Sequence, residues 1–216
     1  MRYTNLSDQN SIFNTFIAEI RDVSIQKDAM RFRRNLERMG EITAYEISKT
    51  LNYKTSKVTT PLGTATLSTP KEDIVLITIM RAGLPFHQGF LNYFDKAENG
   101  FIGAFRKTKN DHSFSIESDY MACPSIEGKT VILSDPMLAS GESILTALEV
   151  LKSRGNPAKI HISAVIGSQT GVNKVINNIP NNVSLWIGAV DDTLNSHAYI
   201  VPGLGDAGDL AFGEKL

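Results

Sequence analysis

The chain has 216 residues, 42% of them hydrophobic, which is enough to bury one substantial α/β core. Its formal net charge of −1 excludes a broad positive field that would attract nucleic acid or an anionic membrane. A single cysteine, Cys123, excludes an internal disulfide and a multi-cysteine metal site, and we interpret it as a free thiol near the surface.

The amino-terminal segment, residues 1–10, is polar and lacks the apolar stretch of a signal peptide. The longest apolar run, Ile74–Met80, is too short to span a bilayer. No Pro/Gly/Ser-rich linker divides the chain. We therefore expect a cytoplasmic protein that does not bind membranes, folded as one domain over residues 1–216.

The predicted elements begin with a helical segment over residues 1–50. Apolar residues recur there at helical spacing: Ile12, Phe13, Phe16, Ile17, Ile20, Phe32, Leu36, Met39 and Ile47. Arg31, Arg33, Arg34 and Arg38 lie between these positions, with glutamates nearby. We interpret them as a solvated or interface-lining helix face, which could supply a dimer contact.

Short β-type runs follow the helical segment. Pro61–Gly63 separates two runs rich in threonine and valine, which predicts a hairpin turn. Five further strands are predicted, several of them apolar throughout: Ile74–Met80, Phe101–Phe105, Thr130–Leu133, Lys159–Ile166 and Val183–Val190. The clearest helix between them covers Ile144–Leu151 and ends before Gly155.

The alternation of strands and helices predicts an α/β fold with a mostly parallel central sheet flanked by helices. A helical amino-terminal segment and a β-hairpin flap complete the predicted fold. The polar stretch Lys107–Asp119 is the expected mobile flap. Ligands of such folds bind at the carboxyl ends of the strands, so the loops there are the candidate site.

Two motifs resemble nucleotide-binding loops and are rejected. Gly203–Gly208 has the G-x-G-x-x-G spacing, but the eight residues after it leave no room for a βαβ unit. Gly128-Lys129-Thr130 resembles the end of a P-loop, but it leads into a predicted strand instead of a helix.

The strongest chemical signal is the segment Val131–Ser143. An apolar strand ends at Asp135, and a loop of small residues then opens a helix, where backbone N–H groups and the helix dipole favour an anion. Ser140, Gly141 and Ser143 allow a phosphate to approach closely, and Asp135 can accept hydrogen bonds from sugar hydroxyls. An ordinary turn with a serine N-cap is the structural alternative.

Asp135–Ala139 resembles the phosphoribosyl-diphosphate loop of uracil phosphoribosyltransferases, which have the type I phosphoribosyltransferase fold. Leu194–Asp209 resembles the uracil-binding segment of the same family. Arg81–Leu84 and Thr60–Thr64 also match. The resemblance extends from about Arg21 to Gly213.

The resemblance implies that Arg81 and Arg106 contact the donor diphosphate, a task that suits the planar, charged guanidinium fork. It also implies that Asp206 approaches the donor, and Arg81 and Asp206 are the expected catalytic residues. The other implied donor-binding residues are Asp135, Pro136, Met137, Leu138, Ala139, Ser140, Gly141, Glu142 and Ser143. The implied uracil-binding residues are Ile200, Gly205, Asp206 and Ala207.

The implied reaction transfers the 5-phosphoribosyl group of phosphoribosyl diphosphate to uracil, giving UMP and pyrophosphate in pyrimidine salvage. Its transition state has oxocarbenium character. Mg²⁺ is the expected cofactor, carried by the donor diphosphate, because Mg²⁺ keeps several waters and needs few protein ligands. No dedicated protein metal site is expected. The family commonly self-associates, so a homo-oligomer is expected.

Four positions depart from the family pattern: Glu142 and Pro85 replace usual glycines, Leu210 replaces a usual basic residue, and Ser140 replaces threonine but keeps the hydroxyl. A carboxylate inside a phosphate site repels the ligand by roughly 3–4 kcal/mol at an effective dielectric of about 20. Either Glu142 weakens donor binding, or its side chain points to solvent and stabilises the first helical turn.

Three alternative functions stay open at this point. The first is an RNA-binding regulator of pyrimidine genes on the same fold, which the net charge of −1 does not support. The second is a catalytically weak sensor of uracil nucleotides, motivated by Glu142 and Leu210. The third is the same chemistry on another base, which the glycine-rich segment Gly203–Gly208 disfavours.

Overall fold

The fold is known from a computed structural model that describes residues 2–108 and 114–214, with side chains described outside residues 104–119. The strands are β1 (Tyr3–Asn5), β2 (Tyr53–Thr60), β3 (Gly63–Pro70), β4 (Ile74–Met80), β5 (Glu98–Thr108), β6 (Phe114–Ala122), β7 (Thr130–Ser134), β8 (Met137–Leu138), β9 (Lys159–Ser168), β10 (Val183–Asp191), β11 (Thr193–Leu194) and β12 (Ile200–Val201). The helices are α1 (Ile12–Arg21), α2 (Ala29–Ser48), α3 (Gly83–Tyr93), α4 (Glu142–Leu151), α5 (Gln169–Asn178) and α6 (Ala207–Phe212).

The central sheet has the strand order β1-β10-β9-β7-β4-β5-β6, and β8 pairs with β9 at its side. Every neighbouring pair is parallel except β5 and β6. The mostly parallel sheet with flanking helices is therefore confirmed.

The sheet carries a hydrophobic core on each face. Leu76 of β4 belongs to the core under α1, α2 and α3, whereas its neighbours Val75 and Ile77 belong to the core under α4 and α5. Both faces of β4 are covered, which is the physical reason that its sequence is apolar without alternation. The predicted bounds of this strand, Ile74–Met80, match the structure.

The chain forms two hairpins, of which β2–β3 is a separate two-stranded sheet and β5–β6 is the edge of the central sheet. Thr60 pairs with Gly63 between β2 and β3, so the predicted turn at Pro61–Gly63 is confirmed. The second hairpin, β5 with β6, covers most of the expected flap. The flap tip, residues 109–113, lies outside the described residues, and flap mobility stays a prediction.

The prediction of an entirely helical amino terminus is wrong in two places. Residues 3–5 form β1, which extends the sheet beside β10, and three residues are too few to show strand alternation. Residues 22–28 separate the two helices. The Asp22 carboxylate accepts a hydrogen bond from the Ser24 backbone N–H at 2.8 Å, and Asp28 then caps α2 through the Arg31 N–H at 3.0 Å.

Two of the four arginines of α2, Arg31 and Arg34, lie in ion pairs on the solvated helix face that was predicted, whereas Arg33 donates to the Ala211 carbonyl at 2.7 Å. Arg31 meets Glu19 at 2.6 Å and Arg34 meets Glu37 at 2.7 Å, with both arginines partly exposed.

Cys123 is a free, partly buried thiol, and burial raises its pKa. Among the described residues, no helix is long and apolar enough to cross a membrane.

Candidate active site

The candidate site lies at the carboxyl edge of the sheet. β4 and β7 are parallel neighbours with Thr78 opposite Ser134, so the segments after both strands emerge side by side. A cavity of about 680 Å³ opens at this edge. It is lined by Ile79, Met80, Arg81, Ala82, Gly83, Asp135, Pro136, Met137, Ala139, Ser143, Ala198, Tyr199, Ile200, Gly205, Asp206, Ala207 and Gly208.

The cavity brings together three segments that are far apart in the sequence: the turn after β4, the loop after β7 and the segment before α6. Most residues expected to bind the donor or uracil line it. Leu138, Ser140 and Gly141 line a smaller adjoining hollow instead. Ala198 and Tyr199 also line the cavity, although the resemblance assigned them no role.

The loop after β7 is tied to β9 by its backbone. Asp135 donates its N–H to the Ser163 carbonyl at 3.0 Å, and the Pro136 carbonyl accepts from the Ile166 N–H at 3.0 Å. The Asp135 carboxylate also accepts from the Met137 N–H at 3.2 Å. These bonds place the Asp135 carboxyl group at the cavity wall at a defined position.

The predicted strand–loop–helix junction is confirmed, with Gly141 at the turn into α4. Gly141 has a φ of 80°, and an added Cβ would lie 2.9 Å from Val175 Cγ2. The left-handed backbone and the close approach of α5 both require glycine here. Residues at the start of α4 line the hollow beside the cavity, and the amino terminus of a helix favours an anion.

Glu142 does not line the cavity or the hollow. Its carboxylate forms an ion pair with the Lys174 ammonium of α5, and the side chain is 51% exposed. This placement supports the interpretation in which Glu142 points away from the phosphate site and stabilises the start of α4.

Arg81 follows β4 and lines the cavity. Its guanidinium donates to the Asp209 carboxylate at 3.0 Å and to the Gly213 carbonyl at 3.2 Å. The peptide bond between Met80 and Arg81 is cis. The resemblance placed Asp209 in the uracil-binding segment without assigning it a partner, and its contact with Arg81 joins that segment to the turn after β4.

Asp206 is the N-cap of α6. One carboxylate oxygen accepts hydrogen bonds from the backbone N–H groups of Gly208 and Asp209, at 2.8 and 3.1 Å. Gly205, immediately before it, has a φ of 92°. Asp206 is therefore held by the first turn of α6 at the cavity wall.

Arg106 is the one predicted donor-binding residue whose side chain lies outside the described part of the structure. Its backbone lies in β5, opposite Ile116 of β6.

The structure agrees with the rejection of the two nucleotide-binding motifs. Thr130 begins β7, so Lys129 does not lead into a helix; the helix that contains Gly208 has six residues, and no strand follows it among the described residues.

The mostly parallel central sheet with flanking helices and its strand-end cavity have the type I phosphoribosyltransferase fold. A solved hypoxanthine phosphoribosyltransferase from Staphylococcus aureus shares this fold with a TM-score of 0.53 at 13% identity, covering 86% of this chain and 84% of that chain. A solved protein from Aquifex aeolicus matches with a TM-score of 0.85 at 29% identity, covering 98% of each chain.

The family is shown by sequence. The model of the family "Uracil phosphoribosyltransferase" matches residues 7–214. A curated uracil phosphoribosyltransferase from Porphyromonas gingivalis is 53% identical over 216 residues, which is 100% of both chains. The chain belongs to the uracil phosphoribosyltransferase family.

Proposed function

We propose that this protein joins uracil to the ribose 5-phosphate of phosphoribosyl diphosphate, releasing pyrophosphate and forming UMP for pyrimidine salvage. The observation that carries the proposal is the convergence of Arg81, the loop Asp135–Ser143 and the segment Ile200–Ala207 on one cavity. Together with family membership, this convergence favours a pentosyl transferase over the sensor, the RNA-binding regulator and the transfer to another base.

In this proposal the loop Asp135–Ser143 holds the ribose 5-phosphate, with Gly141 allowing close backbone approach. Asp135 accepts hydrogen bonds from ribose hydroxyls. Arg81 and Arg106 neutralise the departing pyrophosphate, because guanidinium groups stay charged and meet phosphate oxygens in pairs. These contacts stabilise the charge that develops as the glycosidic C–O bond breaks.

Uracil is held by backbone groups of Ile200, Gly205 and Ala207, which line the same cavity as the donor-binding residues. Positioning the ring nitrogen N1 against the anomeric carbon makes the attack effectively unimolecular. Asp206, fixed at the start of α6, lies where it can contact both substrates.

Mg²⁺ arrives bound to the donor diphosphate in this proposal and supplies charge neutralisation at the leaving group. The residues present fit such an ion: Asp135 and Asp206 face the cavity, and Mg²⁺ typically uses one or two carboxylates plus substrate phosphates. Among the described residues, no group of three His, Cys, Asp or Glu side chains could hold a metal by itself.

We also propose one phosphoribosyltransferase domain over residues 1–216, a homo-oligomer in solution, and a cytoplasmic location.

The proposed reaction is tested by mixing the protein with uracil, phosphoribosyl diphosphate and Mg²⁺ and following UMP by chromatography. UMP that forms with Mg²⁺ and stops with chelator is the expected result. The RNA-binding alternative predicts a gel shift with pyrimidine-operon leader RNA and no UMP.

A further inference from the structure

The wall of the cavity expected to bind uracil includes a segment without regular structure. Residues 202–206 lie between β12 and α6 and belong to neither element. They bring Gly205 and Asp206 to the cavity. A segment outside a β ladder or a helix needs other partners for its backbone groups. Arg21 and Gln26, near the amino terminus, and Asp191, at the end of β10, supply partners for Gly203 and Leu204.

Arg21 and Asp191 form the central contact. Arg21 is the last residue of α1, and Asp191 is the last residue of β10. Both guanidinium NH₂ groups donate to the carboxylate, at 2.7 and 2.8 Å. The Asp191 side chain is 7% exposed and that of Arg21 is 22% exposed, so the pair is largely shielded from solvent. A bidentate, shielded pair is geometrically well defined.

This pair holds both backbone polar groups of Gly203. The Gly203 N–H donates to Asp191 Oδ2 at 2.9 Å, and the Gly203 carbonyl accepts from Arg21 at 3.0 Å. Gly203 has a φ of 57°, and an added Cβ would lie 2.1 Å from the Ile200 carbonyl oxygen. The contact therefore fixes a left-handed turn that only glycine can make.

Gln26 extends the same contact by one residue. Its amide donates to the Leu204 carbonyl at 3.1 Å and to the Ile20 carbonyl at 2.9 Å. The amide thus ties the end of α1 directly to the residue before Gly205. We refer to Arg21, Gln26 and Asp191 as the amino-terminal clamp.

We propose that the amino-terminal clamp positions the uracil-binding segment and thereby sets the affinity for the base. This inference rests on the proposed function. The clamp touches Gly203 and Leu204, whereas the donor loop Asp135–Ser143 is tied separately to β9. Asp206 is held separately by the hydrogen bonds it accepts from the Gly208 and Asp209 N–H groups in the first turn of α6, so loosening the clamp acts mainly on uracil binding and much less on the donor.

The test compares the variants Arg21→Met, Arg21→Lys and Gln26→Ala with the wild type in steady-state kinetics. Arg31→Met is the control, because it breaks another, more exposed arginine–carboxylate pair of the amino-terminal helices, away from the cavity. We expect Arg21→Met to raise KM for uracil about tenfold, which corresponds to the one charged hydrogen bond that Arg21 donates to the segment at the Gly203 carbonyl. KM for phosphoribosyl diphosphate should stay within about twofold.

The smaller changes follow the same pattern. Gln26→Ala should raise KM for uracil by less than Arg21→Met does, and Arg21→Lys should recover part of the loss, because lysine keeps the charge but not the fork. Arg31→Met should leave both KM values unchanged. Equal rises in both KM values, or a lower kcat with an unchanged KM for uracil, would overturn the inference.

Two further measurements separate a failure of the inference from misfolding and from a failure of the proposed function. If Arg21→Met fails to fold, Gln26→Ala with an unchanged unfolding midpoint decides the question. Calorimetric binding of UMP separates the inference from the proposed function. A wild type that binds UMP without turnover still tests the clamp, through a weaker Kd in Arg21→Met. A wild type that neither forms nor binds UMP would overturn both proposals.

Discussion

The guanidinium of Arg81 lies 3.0 Å from the carboxylate of Asp209, across 128 positions of sequence. The contact joins the turn after β4, which is proposed to bind the diphosphate, to the first turn of α6, which follows the proposed uracil-binding residues. Both side chains are about one-third exposed, at 37% and 35%, so the pair adds little to stability. The role of this pair is to orient the Arg81 guanidinium at the cavity wall.

Replacing Arg81 tests its proposed catalytic role. We expect Arg81→Ala to lower kcat/KM by about 10²–10³-fold, as expected for a lost donor to developing negative charge, while the unfolding midpoint stays nearly constant. Arg81→Lys should lie in between. Arg34→Ala, which breaks a comparable partly exposed pair on α2, is the control and should keep wild-type kcat/KM. Equal effects at both arginines would contradict the assignment.

Gly141 offers a test of the proposed phosphate site. Gly141→Ala places a Cβ in a left-handed turn and against Val175, so we expect a loss of about 1–2 kcal/mol in unfolding free energy and a raised KM for phosphoribosyl diphosphate. Gly128 has a similar φ of 68° with nothing within 4 Å of an added Cβ. Gly128→Ala should lose stability without changing KM. A normal KM in Gly141→Ala would remove the loop from the donor site.

Because Glu142 and Lys174 form an ion pair, we expect replacing Lys174 and replacing Glu142 to have different effects on KM for phosphoribosyl diphosphate. Lys174→Ala frees the Glu142 carboxylate near the phosphate site, so we expect KM for phosphoribosyl diphosphate to rise about two- to fivefold, the range of a partly exposed pair. The same change in a Glu142→Gly background should have no effect. Glu142→Gly alone should leave KM near the wild-type value; a marked decrease would mean that Glu142 does oppose the donor.

A buried histidine makes stability depend on pH. Nδ1 of His161 lies 2.8 Å from Ser184 Oγ and accepts from Trp186 Nε1–H at 3.1 Å. Burial lowers the pKa of His161 to about 4. In the unfolded chain the pKa is about 6.5, so the unfolded state binds more protons between these values, and unfolding free energy should fall by up to about 3 kcal/mol as pH drops through that window.

Urea unfolding at several pH values between 7 and 4 measures this dependence. His161→Phe should flatten the curve in that window, whereas replacing the exposed His197 by Gln should leave it as in the wild type. A wild-type stability that stays constant down to pH 4 would contradict the assignment.

The long elements could be predicted from the sequence because each leaves a physical trace. β4 is an apolar run, and the β7–α4 junction combines an apolar strand, a carboxylate and small residues. Strands of two or three residues, such as β1 and β8, are too short for alternation to be seen.

The contacts that hold the site together are less predictable. Arg21 and Asp191 are separated by 170 positions, and their pairing depends on how α1 packs near the end of β10. The link between Arg81 and Asp209 likewise exists only once the chain is folded. Charge and spacing identify such residues as candidates, but only tertiary structure identifies their partners.

The most direct test of the proposed reaction is a competition among bases in one tube. The protein is incubated with equal concentrations of uracil, cytosine, hypoxanthine and orotate, together with phosphoribosyl diphosphate and Mg²⁺, and all nucleotide products are measured by mass spectrometry. We expect the protein to form UMP, to release one pyrophosphate per UMP, and to form no nucleotide of the other three bases. No nucleotide from protein shown to be folded, or a predominant product other than UMP, would contradict it.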